Sequence, residues 1–201
     1  LTGLGGAVAG GSLASATVSL DILGNETVSQ TAINRSTKTV TQTVDYPDSD
    51  TDAVSVSVNG LRTASTSKTG LEYTFGYDAL ERQVSVTDPR TGMSVTHFND
   101  KGQVDWEENA AQNRTSRVYD PATGLQISIT DAVTGTVNTA YSVRGQPIGT
   151  WGATYPVFYA FDEYNRMTNM FTLRDTGVEI SDYSSFITHL SSFDRTTWLY
   201  D

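Results

Sequence analysis

An aromatic residue followed by a short polar one recurs along this chain at a nearly constant step. The pairs are Tyr77-Asp78, Phe98-Asn99, Tyr119-Asp120, Tyr141-Ser142 and Phe161-Asp162. Successive aromatics lie 21, 21, 22 and 20 residues apart, and a further pair, Tyr200-Asp201, stands at the C-terminal end. A fixed period of this length means that one supersecondary unit is repeated, which sets aside folds built around a single non-periodic core. Repeat architectures make walls, shells and extended binding surfaces, so an active site has to be argued for separately.

The content of the unit is readable from Leu71 onward. Leu71, Tyr73, Phe75 and Tyr77 alternate with Glu72, Thr74 and Gly76, the two-residue period of a strand with one face covered. A short turn follows Asp78, then a second alternating stretch, Arg82 to Thr87, then the turn Asp-Pro-Arg-Thr-Gly from Asp88 to Gly92. The stretch 93–98 leads into the next pair. Each period is therefore two strands of about six residues and two turns of about four, a meander of hairpins. The first turn has its own signature. Four residues after the aromatic stands Gly102, Gly145 or Asn165, and after Tyr119 the glycine is Gly124, one place later. Gly and Asn are the residues that a left-handed turn position favours. Glu81 is the exception, and predicts either a different turn or local strain. The second turn repeats loosely, Asp131 to Gly135 mirroring Asp88 to Gly92.

Earlier segments read as a degenerate version of the same pattern. Strands are expected at 17–21, 40–44 and 54–58, turns at Leu23-Gly24-Asn25 and at Asn59-Gly60, the latter a strong hairpin signal. Before about residue 16 the chain is too Gly-rich to assign. After Phe161-Asp162 the period breaks, the next aromatic pair coming 39 residues later. The segment 166–173 still reads as a strand. Tyr183, Phe186, Ile187 and Leu190 then fall at helical spacing, and a short helix or irregular insertion, a lid or a plug, is expected near 182–192.

Composition agrees with many short strands joined by polar turns: hydrophobic residues are 37% and charged residues 18%, the balance being rich in Thr, Ser, Gly and Asn. The formal net charge of −10 argues against nucleic acid and anionic membrane as partners. With no cysteine there is neither a disulfide framework nor a thiolate metal site. No stretch is apolar for long enough to form a membrane-spanning helix. The N-terminal LTGLGGAVAGGSLASA has no basic residue ahead of its apolar part, unlike a secretory signal. A start without Met and an end on a fresh repeat pair suggest an excerpt from a longer polypeptide.

The runs FGYDALERQVSVTDPRTG, VYDPATGLQISITDAVTG and YAFDEYNRMTNMFTLRD resemble the YD repeats of the Rhs (rearrangement hotspot) family. The family pattern is Tyr-Asp, two variable residues, Gly-Arg, an apolar strand, then Asp-Pro and Gly. Tyr77, Asp78, Arg82, Asp88, Pro89 and Gly92 match it, as do Tyr119, Asp120 and Gly124, and Phe161, Asp162 and Arg166 with Phe for Tyr. Departures are Glu81 and Asn165 at the Gly position, and Asn99 and Ser142 at the Asp position. The resemblance covers residues 60–201 clearly and the earlier part more weakly. It implies long strand ribbons that spiral into a hollow shell, which in bacterial toxin systems encloses a C-terminal toxic domain. In wall-associated and animal relatives such repeats sit at the cell surface and take part in contact between cells. Nothing here resembles the family's self-cleavage region or a toxin domain.

Candidate chemistry is sparse. The repeat aromatics could stack sugars, but periodic aromatics in stacked repeats usually pack on their neighbours, with hydroxyls on backbone partners. The Asp of each pair is expected to bind the turn amides that follow it. Trp106, Trp151 and Trp198 lie outside equivalent repeat positions; packing is the ordinary reading and ligand stacking the alternative. Asp48, Asp50 and Asp52 have the alternate spacing of a calcium loop. Ala53 and Asn59 occupy the positions where an EF-hand needs Gly and Glu, leaving a solvated turn or a surface Ca2+ site. His97 and His189 cannot make a usual zinc site without carboxylates. No nucleophile elbow, HExxH or phosphate loop is present, and no catalysis is expected. The sequons at Asn25, Asn34 and Asn113 are expected by chance in a Thr-rich chain.

The expectation is thus an all-β chain of repeated antiparallel β-hairpins forming a curved sheet or part of a hollow β-shell. Residues 1–60 would be a degenerate, Gly/Ser/Thr-rich repeat region, and 61–201 the YD-repeat region with an insertion at about 174–196. Its function would be structural: a segment of a large exported bacterial protein, without cofactor, enclosing a cargo or toxin domain or displayed at the cell surface. Its partners would be other repeats of the same polypeptide or neighbouring copies. Two alternatives stand beside it, a carbohydrate-binding or polysaccharide-processing module that meets a surface glycan, and a filament-forming surface protein.

Overall fold

A computed structural model of the chain describes residues 12–174 and 177–200. Alternating Thr, Val, Ser and aromatic residues give strands, and Gly, Asn and Asp break them at short intervals, so the result is almost wholly β. The strands are β1 (Ser12–Leu20), β2 (Glu26–Asn34), β3 (Thr39–Asp45), β4 (Ala53–Val58), β5 (Leu61–Thr66), β6 (Glu72–Tyr77), β7 (Gln83–Asp88) and β8 (Gly92–Phe98). They continue as β9 (Val104–Glu108), β10 (Arg114–Tyr119), β11 (Gln126–Asp131), β12 (Gly135–Tyr141), β13 (Pro147–Gly152), β14 (Val157–Phe161), β15 (Met167–Leu173) and β16 (Phe193–Thr197). One helix, α1 (Tyr183–Thr188), and a 3-10 turn at Leu190–Ser192 interrupt the series between β15 and β16. The sheet order follows the chain order from β1 to β16, each strand beside its sequence neighbours. No helix among the described residues is long and apolar enough to cross a membrane.

The chain divides into two compact units, one up to Thr96 together with Asn109–Ala111, the other His97–Glu108 with residues 112 onward. The expected division at 60/61 falls inside a tight hairpin: β4 and β5 pair across Asn59-Gly60, both with positive φ (54° and 87°), as a two-residue hairpin turn requires. β2 was in no expected strand, although it pairs along its length with β1 and β3.

A β-bulge recurs at the repeat aromatic. In the β6–β7 pair Gly76 faces Ser85 but Tyr77 faces Gln83, so Val84 is passed over. Ile127, Ile148 and Thr168 are bypassed in the same way beside Tyr119, Tyr141 and Phe161. A bulge raises local twist and re-aims the side chain next to it. From such a bulge Tyr77, Tyr119 and Tyr141 each reach a backbone carbonyl of the strand before.

The expected continuous aromatic and aliphatic core is not what the described residues form. Apart from Ala32, the buried apolar residues are Trp151, Phe158, Leu173, Ile180, Phe186 and Phe193, one cluster within the second unit. A single sheet has two faces, and burial needs a second layer. The segment between β15 and β16 supplies that layer. It lays Ile180 and Phe186 over Phe158, whose ring stacks on that of Phe186 at 4.0 Å between centroids. The insertion thus covers one face of the sheet in the second unit, but its limits move. β16 begins at Phe193, so the insertion ends at 192 and not at 196.

Candidate functional site

The chemistry-bearing residues of the sequence converge on turns and on the hydroxyls beside them. At Asp78 the backbone N–H donates to the Arg82 carbonyl at 3.0 Å, and the Glu81 N–H donates back to the Asp78 carbonyl at 3.0 Å. The same pair of bonds closes the turns at Asn99 with Gly102, Ser142 with Gly145, and Asp162 with Asn165. The turn at Asp120, one residue longer, closes through Leu125 and Gly124. Each first residue also receives amides from the turn it opens. Asp78 Oδ1 accepts from Leu80 (2.9 Å) and Arg82 (3.0 Å), and Asp162 Oδ1 from Tyr164 and Arg166 (2.9 Å each). Asn99 Oδ1 and Ser142 Oγ accept in the same way, which is why a neutral residue can replace the Asp. Asp120 takes Ala122 and Thr123.

The Arg four residues on has a second task. Arg82 Nε reaches Asp78 Oδ2 at 2.7 Å, and Arg166 Nε reaches Asp162 Oδ2 at 2.7 Å. Partial desolvation pushes both carboxyls up, but the Arg amide and guanidinium donors outweigh it and hold them below their ordinary value of 3.8. Asp120 is lowered chiefly by the Thr123 amide, and Asp131 chiefly by that of Thr134.

Glu81 settles the alternative posed by its sequence. The turn is the ordinary one, and Glu81 adopts φ 62° where its counterparts Gly102 and Gly145 have 79° and 80°. The turn expected at Leu23-Gly24-Asn25 is also of this design, opened by Asp21, and another, at Ser67, was missed by sequence reading. The available signal was a short polar residue followed three places later by glycine, Gly24 and Gly70.

The tyrosines form a ladder. Tyr77 donates its hydroxyl to the Arg62 carbonyl at 2.8 Å, Tyr119 to Val104 at 2.7 Å and Tyr141 to Gln126 at 2.9 Å, each 15 residues upstream. The acceptor is the residue just past the preceding strand-to-strand turn. Tyr200 donates to Met167, 33 residues upstream and again just past a turn. The 39-residue gap is therefore one period with an 18-residue insertion, by the difference of the two separations. Phe98 and Phe161 hold the same repeat position without a hydroxyl; Asp201 lies outside the described residues.

The remaining candidates scatter. Trp151 is buried, with its Nε1 donating to the Ser181 carbonyl at 3.1 Å, so it serves the core and offers no face to a ligand. Trp106 has one face stacked on His97 (5.1 Å) and the Arg114 guanidinium over its ring at 4.0 Å. Trp198 is half-buried, its backbone N–H on the Thr168 carbonyl. His97 Nδ1 lies 2.6 Å from Asp105, and His189 caps α1 through Ser185. Asp48 pairs with Lys68 at 2.9 Å instead of converging with Asp50 and Asp52. Among the described residues no three acidic or imidazole side chains come together as a metal centre would need.

Residues 57–93 match the family model of the RHS repeat. No curated protein is similar enough to match this sequence. Among solved structures, a TcdB2–TccC3 complex without its hypervariable C-terminal region is similar at a TM-score of 0.50 and 14% identity, over 91% of this chain and 10% of that one. The TcdB2–TccC3–Cdc42 complex is similar at 0.49 and 14%, over 91% and 10%. The Photorhabdus luminescens Tc holotoxin pore with a TccC3 variant is similar at 0.48 and 13%, over 75% and 9%. This chain thus spans about a tenth of the length of the chains it resembles.

Proposed function

We propose that this chain, an Rhs-type repeat protein, is a wall segment of a secreted or surface-displayed bacterial β-shell that encloses a cargo or toxin domain. The hydroxyl ladder carries the reading. Tyr77, Tyr119, Tyr141 and Tyr200 each tie the end of one strand to a backbone carbonyl of an earlier strand, so one strand-to-strand contact recurs along the chain. The rest supports the same use. Outside the C-terminal cluster the sheet is a single layer with half-buried faces, suited to separating two spaces. The turns hold their polar groups internally, so this reading gives the segment no catalysis and no cofactor of its own. Its partners are other repeats of the same kind, pairing beyond β1 and β16, the end strands of the sheet among the described residues.

Light scattering and negative-stain microscopy of the purified chain test this. Edge-to-edge association into curved or closed assemblies is expected. A monodisperse monomer with one cooperative unfolding transition would contradict the wall reading, and straight unbranched filaments would favour a fibrous surface protein.

A further inference from the structure

The hairpin period hides a longer one. Residues 83–103 compared with the next hairpin, 104–124, share no identical position; compared with 126–146, nine of 21 positions are identical. The identities are Gln83/Gln126, Ser85/Ser128, Thr87/Thr130, Asp88/Asp131, Thr91/Thr134, Gly92/Gly135, Thr96/Thr139, Gly102/Gly145 and Gln103/Gln146, all at a step of 43. Contacts repeat at the same step. Asp88 pairs with Gly92 and Thr87 with Met93 in one hairpin, Asp131 with Gly135 and Thr130 with Thr136 in the other.

Neighbouring turns are also linked in an alternating way. From the neutral turn at Asn99, Lys101 Nζ donates to the Pro121 carbonyl of the following Asp turn at 2.6 Å. From the neutral turn at Ser142, Arg144 Nη1 donates to the Glu163 carbonyl at 2.7 Å. At the corresponding place in the turns at Asp78 and Asp120 stand Leu80 and Ala122, whose side chains have no donor, and in the turn at Asp162 stands Tyr164. On the other set of turns, a Cβ built on Gly92 would lie 3.2 Å from Ala110, and one on Gly135 would lie 3.3 Å from Ala153. Both partners are small, and they too are 43 residues apart.

We infer that the building unit is a four-strand module of 43 residues made of two unlike hairpins: β7–β8 and β11–β12 repeat in sequence, while β9–β10 and β13–β14 share their strand order and the Ala110/Ala153 position but little other sequence. The wall grows by whole modules, because a single hairpin puts the wrong partner against the next turn. Shifting by one hairpin places Pro89, with no backbone N–H, where Ala110 now stands against Gly92. The insertion between β15 and β16 occupies the connection that the Asp88 and Asp131 turns fill in the two modules. That connection is therefore the one at which a module accepts extra chain. The inference is independent of what the wall encloses.

The test uses the full chain with duplications. One variant carries a second copy of residues 83–125 after Leu125, the other a second copy of 83–103 after Gln103. Module duplication should raise the denaturant slope by about a fifth, in proportion to added length, and leave the copy resistant to protease. Hairpin duplication should leave the slope unchanged and the copy cleavable. Equal incorporation of both copies, or digestion of the module copy, overturns the inference.

Discussion

The repeat turn asks three things of single residues, and this chain meets them unevenly. The first residue must accept amides, the fourth must tolerate positive φ, and the aromatic before them must reach the preceding strand. Glu81 breaks the second rule alone, holding φ 62° with a Cβ. An L-residue in the left-handed region costs about 1 kcal/mol relative to glycine. Glu81→Gly should therefore stabilise the chain by about 1 kcal/mol, read as a higher urea midpoint at unchanged slope. The third rule is tested by Tyr141→Phe. It removes one hydroxyl bond to Gln126 and should cost about 1 kcal/mol. Phe161→Tyr should move the midpoint the other way, since continuing the register of Gly149 with Phe158 puts its hydroxyl beside the Pro147 carbonyl.

Among elements, the insertion stands apart because it alone makes a buried core. Its helix starts at an Asp182 cap whose side chain accepts from the Ser185 amide, with Ser185 answering the cap backbone. The helical spacing of Tyr183, Phe186, Ile187 and Leu190 was legible from sequence; the box, with Ser185 in place of the usual Glu or Gln, was not. Which of these turn inward is not legible: Phe186 is buried, while Ile187 and Leu190 stay exposed. The sheet decides this, because Gly149 opposite Phe158 leaves room for the ring to lie across the strand. A Cβ at Gly149 would sit 2.1 Å from Phe158, so Gly149→Ala should destabilise by about 2 kcal/mol through overpacking. Phe158→Ala should cost more, about 3–5 kcal/mol, because the ring is fully buried. Thermal unfolding followed by aromatic circular dichroism checks both. If neither change moves the transition, the cluster is not the stabilising centre of its unit.

For the whole molecule, stability rests on many turns of one design, and this gives it a shared pH dependence. Asp21, Asp78, Asp88, Asp120, Asp131 and Asp162 all have carboxyls held below 3.8 by turn amides or Arg partners. A carboxyl depressed in the folded state stabilises it fully above its unfolded value, and that contribution disappears as pH falls through the folded value. The melting temperature should stay level from neutral pH to about pH 4 and then fall steeply. Asp162→Asn, which keeps the amide acceptor but cannot titrate, should make that fall shallower. A profile with no acid limb would show that the turn carboxyls add nothing to stability. Pairing of sequence neighbours throughout also means that few distant contacts must form before folding is rewarded.

The sequence by itself determined what is local and periodic. Strand alternation, most of the turn residues and the approximate place of the insertion follow from neighbours within a few residues and were readable in one dimension, whereas β2 and the Ser67 turn were not. The Asx role of Asp78 and Asp162 was readable for the same reason. Tertiary structure alone decided which side of each element is covered. A half-buried sheet face and a buried one carry the same alternation, so the single layer around Tyr77 could not be told from the packed layer around Phe158. Only the chain folding back at residues 180–193 separates them. The partners of Trp151, Trp106 and the tyrosine hydroxyls were set in the same way, by side chains and carbonyls brought close across strands and not along the chain.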